Sequence, residues 1–234
     1  MSHDDDTVAA DETPPAPRAR HRRHWSFWLG LGLIGTGLAL LGHLGWQLYG
    51  TDVVSHRRHT ETVQRLEQQW DDESGQATVR TDHGTAGAIM RVPRFGADYA
   101  VPVLEGVGEE QLASGMGHVV DSAPAGGVGN YAVAGHRITH GEPLRALPDL
   151  EPGDEIVIET RTTIFHYVLD TGGSELRVPF SAAWVLAPEP VNPDGGVGPA
   201  AGQTRLITLS TCAELFHTDD RLVAFGHLES VERR

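Results

Sequence analysis

Lysine is absent from this 234-residue chain: all 18 basic residues are arginine. That excludes chemistry built on a lysine nucleophile or a lysine Schiff base. A single cysteine, Cys212, means that no intramolecular disulfide can form, and cysteine-rich zinc sites are excluded with it. Positive charge is also scarce. The 32 carboxylates leave a formal net charge of −14, whereas neutralising phosphates needs a net basic face, so nucleic acid is not an expected partner. Aromatic residues make up 6% of the chain, and the length leaves room for one domain of ordinary size plus appendages.

Residues 1–24 combine Asp4, Asp5, Asp6, Asp11 and Glu12 with Pro14, Pro15 and Pro17 and have little to bury. A disordered cytoplasmic tail is expected there. It ends in Arg18, Arg20, Arg22 and Arg23. Residues 25–49 then carry no formal charge. As a helix they would extend ~37 Å at ~1.5 Å per residue, enough to cross a hydrocarbon core of ~30 Å. Trp25, Trp28, Trp46 and Tyr49 cluster at the two ends, at headgroup level. The run is longer than the apolar stretch of a signal peptide, and no A-x-A site follows it, so an uncleaved transmembrane anchor is expected. Arginines flank it on both sides, the later ones being Arg57, Arg58 and Arg65. Charge therefore leans only slightly towards an extracellular C-terminal domain. His43, near the end of the span, reads as an interfacial side chain.

Residues 50–85 read as a stalk and linker, with Val63, Leu66 and Trp70 at helical spacing. From 86 to 234 the pattern changes to short runs rich in Val, Ile, Thr and Tyr, punctuated by Gly, Pro and Asp, the signature of an all-β sandwich or barrel. Strands are expected at 88–92, 99–104, 130–136, 155–160, 164–170, 205–211 and 221–228. Short helical turns are expected near 109–114 and 143–147, and a long surface loop at 188–202.

Three positions carry the chemistry. Cys212 closes an apolar, β-branched run, and a residue at a strand end is held rigidly yet reaches a cleft. A lone cysteine is more often a small buried hydrophobe than a nucleophile. A free thiol in an exported domain is nonetheless unusual, and as a nucleophile it needs a nearby imidazole or guanidinium. His136 closes the run 131–135, in which Gly135 permits close backbone approach. Its spacing to His140 suits a metal pair only in a helix, which Gly135, Ile138, Thr139 and Gly141 oppose. Arg221 opens the last strand, either as a solvated surface charge beside Asp219 and Asp220 or as a fixed positive charge near Cys212, where an oxyanion would develop.

Thr208-Leu209-Ser210-Thr211-Cys212, with Arg221 after it and Gly135-His136-Arg137 upstream, resembles the sortases, membrane-anchored cysteine transpeptidases of Gram-positive bacteria. Ile89-Met90-Arg91-Val92-Pro93, Gly117-His118, Gly129-Asn130-Tyr131 and Leu150-Glu151-Pro152-Gly153-Asp154 extend the likeness over residues 86–229. It is most similar to the class E housekeeping branch of actinobacteria.

The resemblance implies an all-β fold, a closed eight-stranded barrel with short helices behind one N-terminal transmembrane helix. It implies that Cys212 attacks the Thr–Gly bond of a C-terminal sorting signal, Leu-Ala-x-Thr-Gly or Leu-Pro-x-Thr-Gly. His136 protonates the leaving amine, Arg221 holds substrate or oxyanion, and Thr211 contacts substrate. The partners implied are surface proteins bearing that signal, a peptidoglycan-precursor amine as acceptor, and the membrane through residues 25–49. No cofactor is expected. No metal is expected either, since the 188–202 loop holds only Glu189 and Asp194. A pilin-type lid with an Asp-Pro-aromatic motif is missing between 50 and 86. Outside this family, a hydrolytic cysteine protease, an L,D-transpeptidase, or a non-catalytic wall-binding barrel with Cys212 in its core remain alternatives. The Ser-His-Gly-Cys type of motif expected of an L,D-transpeptidase is absent.

Overall fold

The computed structural model describes residues 22–45, 51–212 and 219–234. The acidic tail expected over 1–24 lies outside the described residues, save for the start of the first helix. The chain divides into two units, residues 1–45 and 46–234, each described by itself.

In the first unit, α1 spans Arg22–Gly45. Its segment Trp25–His43 is long and apolar enough to cross a membrane. Trp25, Phe27, Leu29, Leu33 and Leu40 are all exposed. An apolar helix without a polar face or a packed side is what a lipid-embedded anchor requires.

The second unit opens with α2, Thr51–Asp71. The helix expected in the stalk therefore forms, but it is docked rather than free. Ser55, His59, Thr62, Leu66 and Trp70 recur every three or four residues and are buried together with Val63, as one face of a helix must be when it lies on another surface. Val63, Leu66 and Trp70 pack with Val79, Ala86, Ile89 and Leu104. The Trp70 indole donates to the Ala77 carbonyl at 2.9 Å. Full burial of Leu66 alone contributes about 1.5–3 kcal/mol, which explains why a helix of mainly polar sequence is held in place.

Among the described residues ten strands follow: β1 Val79–Thr81, β2 Gly84–Arg91, β3 Val101–Glu105, β4 Met116–His118, β5 Gly129–Ala134, β6 Glu155–Glu159, β7 Thr163–Leu169, β8 Leu176–Pro179, β9 Arg205–Cys212 and β10 Asp220–Arg233. Pairing runs β2-β3-β4-β5-β9-β10-β7-β6, and β6 closes on β2. That is the expected eight-stranded barrel. β1 adds a hairpin to β2, and β8 pairs with β10 outside the ring. The sheet thus begins at Val79, ahead of the expected 86. The ladders are antiparallel except β3–β4 and β5–β9. A turn of helix, α3, covers Glu109–Leu112, and a short 3-10 turn covers Leu147–Asp149. The barrel interior is filled by Met90, Val133, Leu144, Ile156, Ile158, Ile207 and Leu209 among others.

Candidate active site

Topology alone brings the predicted residues to one end of the barrel. Because β5 and β9 are parallel neighbours, both run to the same rim, and their register pairs Ala134 with Ser210. The pairing continues past the end of β5: the Gly135 N–H donates to the Ser210 carbonyl at 3.1 Å, and the Thr211 hydroxyl donates to the Gly135 carbonyl at 2.8 Å. His136 is therefore delivered beside the end of β9. β10 is antiparallel to β9 and starts at that rim, with Arg221 directly opposite Cys212. For Cys212 the structure describes the backbone, and the polar stretch that follows it, up to residue 218, lies outside the described residues.

Gly135 is where a side chain has no room. A Cβ there would lie 2.5 Å from the Met116 Sδ and 3.2 Å from Leu144. The close approach read from the sequence is thus made by β4 and the loop beyond His136. That loop folds back at once, with the Leu144 N–H donating to the His136 carbonyl at 2.9 Å.

The His136 ring stacks on His140, with centroids 4.8 Å apart and planes at 28°. Its Nε2 is buried and has no hydrogen-bond partner among the described residues. A structural histidine would use that atom. Burial lowers the His136 pKa below its ordinary 6.5 and the neighbouring His140 lowers it further, against an opposing effect of Glu109. The neutral imidazole is favoured at pH 7. The His136–His140 spacing thus yields a stacked pair in a loop. Among the described residues, no group of three or more His, Cys, Asp or Glu is arranged to hold a metal ion.

Arg221 is only 8% exposed, which does not fit the solvated-charge alternative. It makes no ion pair among the described residues. One terminal nitrogen donates to the Phe180 carbonyl, the guanidinium lies 5.0 Å from the centroid of the Phe180 ring, and Nε is buried without a described partner. Burial lowers its pKa, yet an arginine keeps its charge at any pH the protein meets. A buried, undercoordinated guanidinium at a strand end is poised to take a further acceptor.

Phe180 escaped sequence reasoning. It stands 41 positions before Arg221, follows a proline rather than a motif, and gains its role only because β8 pairs with β10. Thr211 is buried, with its hydroxyl tying β9 to the His136 segment. A separate cleft of about 690 Å³ lies at the opposite end of β5 and β9, between Val128, Gly129 and Leu206 and the 188–204 loop.

Known proteins resemble this chain in sequence and fold. Sortase SrtE1 of Streptomyces coelicolor is 33% identical over 208 residues, covering 86% of this chain. The chain spans 56% of the length of that relative. Sortase E from Streptomyces avermitilis superposes with a TM-score of 0.56 at 37% identity, over 66% of this chain and 93% of that one. Sortase E1 from Streptomyces coelicolor, solved with a tripeptide in its active site, gives 0.54 at 31% identity, over 67% and 94%. The likeness thus runs to the class E branch. A model of the sortase domain matches residues 90–229, a stretch that takes in the strands leading to His136, Cys212 and Arg221, and on that match the chain belongs to the sortase family.

Proposed function

We propose that this chain is a membrane-anchored cysteine transpeptidase. It cleaves a C-terminal Leu-Ala-x-Thr-Gly or Leu-Pro-x-Thr-Gly signal between Thr and Gly and joins the protein to a peptidoglycan-precursor amine. The observation that carries the reading is the convergence of His136, Cys212 and Arg221 at one rim of β5, β9 and β10. α1 is the anchor and crosses the membrane once, with the barrel on the extracellular side.

His136, neutral at rest, takes the Cys212 proton as the sulfur attacks the threonine carbonyl carbon. The oxyanion forms beside Arg221, whose largely buried guanidinium donates to it. The tetrahedral adduct collapses, the C–N bond breaks, and the imidazolium gives its proton to the departing glycine amine. A thioester on Cys212 remains. The acceptor amine then attacks that carbonyl, loses its proton to His136, and expels the thiolate, which is reprotonated. Thr211 neighbours the substrate by its place beside the nucleophile, while its hydroxyl holds the Gly135 carbonyl.

Mass spectrometry of the detergent-solubilised full chain with a sorting-signal peptide and an amine tests this. The expected result is a thioacyl adduct on Cys212 and a peptide–amine product. A product formed only by water would mark a hydrolytic protease, and no adduct at all would favour the wall-binding alternative.

Arg221→Ala should lower kcat/KM by ~10²–10³, equivalent to ~3–4 kcal/mol of transition-state stabilisation. Arg221→Lys should recover only part, because an ammonium cannot reproduce the planar fork that reaches Phe180 and an oxyanion together. Steady-state kinetics with melting temperatures as control decide it. Near-normal turnover in a stably folded Arg221→Ala protein would leave the guanidinium a structural role only.

A further inference from the structure

We infer that His59 on α2 is a positioning residue: through Gly141 it seats the loop holding His140 against His136. The inference rests on the transpeptidase reading and adds to it a part that neither the His136 nor the Cys212 motif contains.

Three consecutive residues of that loop sit in the left-handed region, His140 at φ 56°, Gly141 at 77° and Glu142 at 47°. Only the middle one is glycine. Two side-chain-bearing residues in this conformation are strained, and such strain persists only where the surroundings enforce it. The enforcing surface is α2. A Cβ on Gly141 would lie 2.9 Å from the His59 Cε1, 3.3 Å from its Nδ1 and 3.2 Å from the Ser55 Cβ, so the loop backbone rests directly on these two side chains.

His59 and Ser55 are 3% and 2% exposed. Further along the same face, burial is achieved by Val63, Leu66 and Trp70, which pack on the barrel wall. At the loop the helix instead presents an imidazole whose Nε2 has no described partner. A buried imidazole with one nitrogen unpaired among the described residues is an unfavourable choice for packing alone. Burial, with His56 and Arg58 nearby, pushes its pKa down to about 4, so at neutral pH it is an uncharged planar ring. It meets Gly141 as a neutral ring in direct contact.

The next link is the stack of His140 on His136 at 4.8 Å. His140 also has its Nδ1 3.0 Å from the Thr139 hydroxyl, which fixes its ring within the loop. A shift of the loop away from α2 would carry His140 off His136 and admit water to the imidazole. Catalytic geometry is sensitive to displacements of about 1 Å, each able to cost up to ~10²-fold. Burial and His140 hold the His136 pKa down against an opposing effect of Glu109, so loss of the stack removes one of the two lowering influences.

The test uses the full chain in detergent, with kcat and KM for a sorting-signal peptide, the NMR titration of the His136 imidazole, and melting temperature. His59→Ala should lower kcat about ten- to a hundredfold with little change in KM, and the His136 titration should move up towards 6.5. His59→Phe, which keeps a planar ring, should restore both. Gly141→Ala should mimic the defect by pushing the loop off the ring, and His59→Ala in the same chain should relieve part of it. Leu66→Ala, which weakens the docking of α2 away from the loop, should lower the melting temperature while leaving kcat and the His136 titration unchanged below it. A wild-type titration and kcat in His59→Ala would overturn the inference, as would a Leu66→Ala protein with the same kinetic and titration defects. Failure of the wild-type chain to process peptide would instead count against the transpeptidase reading, and the His136 titration would still decide the role of His59.

Discussion

Cys212→Ala is expected to remove every trace of the thioacyl adduct and of transpeptidation while leaving the barrel folded. The chain holds no second thiol, so nothing can take over as the sulfur nucleophile, and a thiol is far more nucleophilic at neutral pH than any hydroxyl nearby. The fold should not notice. Position 212 is tied into the sheet by its backbone, in register with Arg221, and there is no disulfide whose loss would loosen the denatured chain. A melting temperature close to wild type is expected under reducing and oxidising conditions alike. In the folded wild-type protein an alkylating reagent should label Cys212, as a reactive thiol at a cleft does and a core cysteine does not. Cleavage by the Cys212→Ala protein at a rate near wild type would remove the nucleophile assignment.

The strands that were legible in the sequence are those whose side chains carry the barrel interior. Residues 206–211 are rich in apolar and β-branched side chains and 131–134 are apolar throughout, so composition marks both strands. β1, β4 and β8 have three or four residues each, too few for alternation to stand out, and Gly117 and Pro179 within them argue locally against a strand. β10 runs on to Arg233, past the expected 228. Its far end is exposed, with Glu229, Glu232 and Arg233, so polarity hid a stretch that pairing with β7 imposes.

α2 shows a different limit. Val63, Leu66 and Trp70 announce a helix, but three apolar residues do not say what they lie on, and the rest of the buried face is Ser55, His59 and Thr62. At the site, the ends of strands were readable because motifs mark them. What surrounds those ends was not. Phe180 and Gly141 act through contacts across 41 and more than 80 positions of chain, and no local pattern encodes such a distance.

His136→Ala should be nearly as damaging to rate as loss of the cysteine, and it separates a proton carrier from a packing residue. Without a proton donor the glycine amine must leave as an unstable anion, and general acid–base groups contribute ~10²–10⁴-fold, or about 3–5 kcal/mol of barrier. The stability change should be small, because the imidazole Nε2 makes no hydrogen bond among the described residues and the ring is replaced at a strand end, outside the barrel interior. The wild-type kcat/KM should give a bell-shaped pH profile. Attack begins from neutral imidazole and protonated thiol, so activity falls as His136 is protonated on the acid side. Burial and His140 depress that pKa, so the acid limb should lie below 6.5 rather than at it. The basic limb follows loss of the thiol proton, which for an unperturbed cysteine occurs near ~8.5. In His136→Ala the acid limb should vanish while the residual rate still depends on Cys212. Stopped-flow or discontinuous assays across pH 5–9 on both proteins, with circular dichroism to confirm folding at each pH, make the comparison. A profile flat between pH 6 and 9 in the wild-type chain, or an alanine variant that turns over normally, would show that the imidazole carries no proton in the reaction.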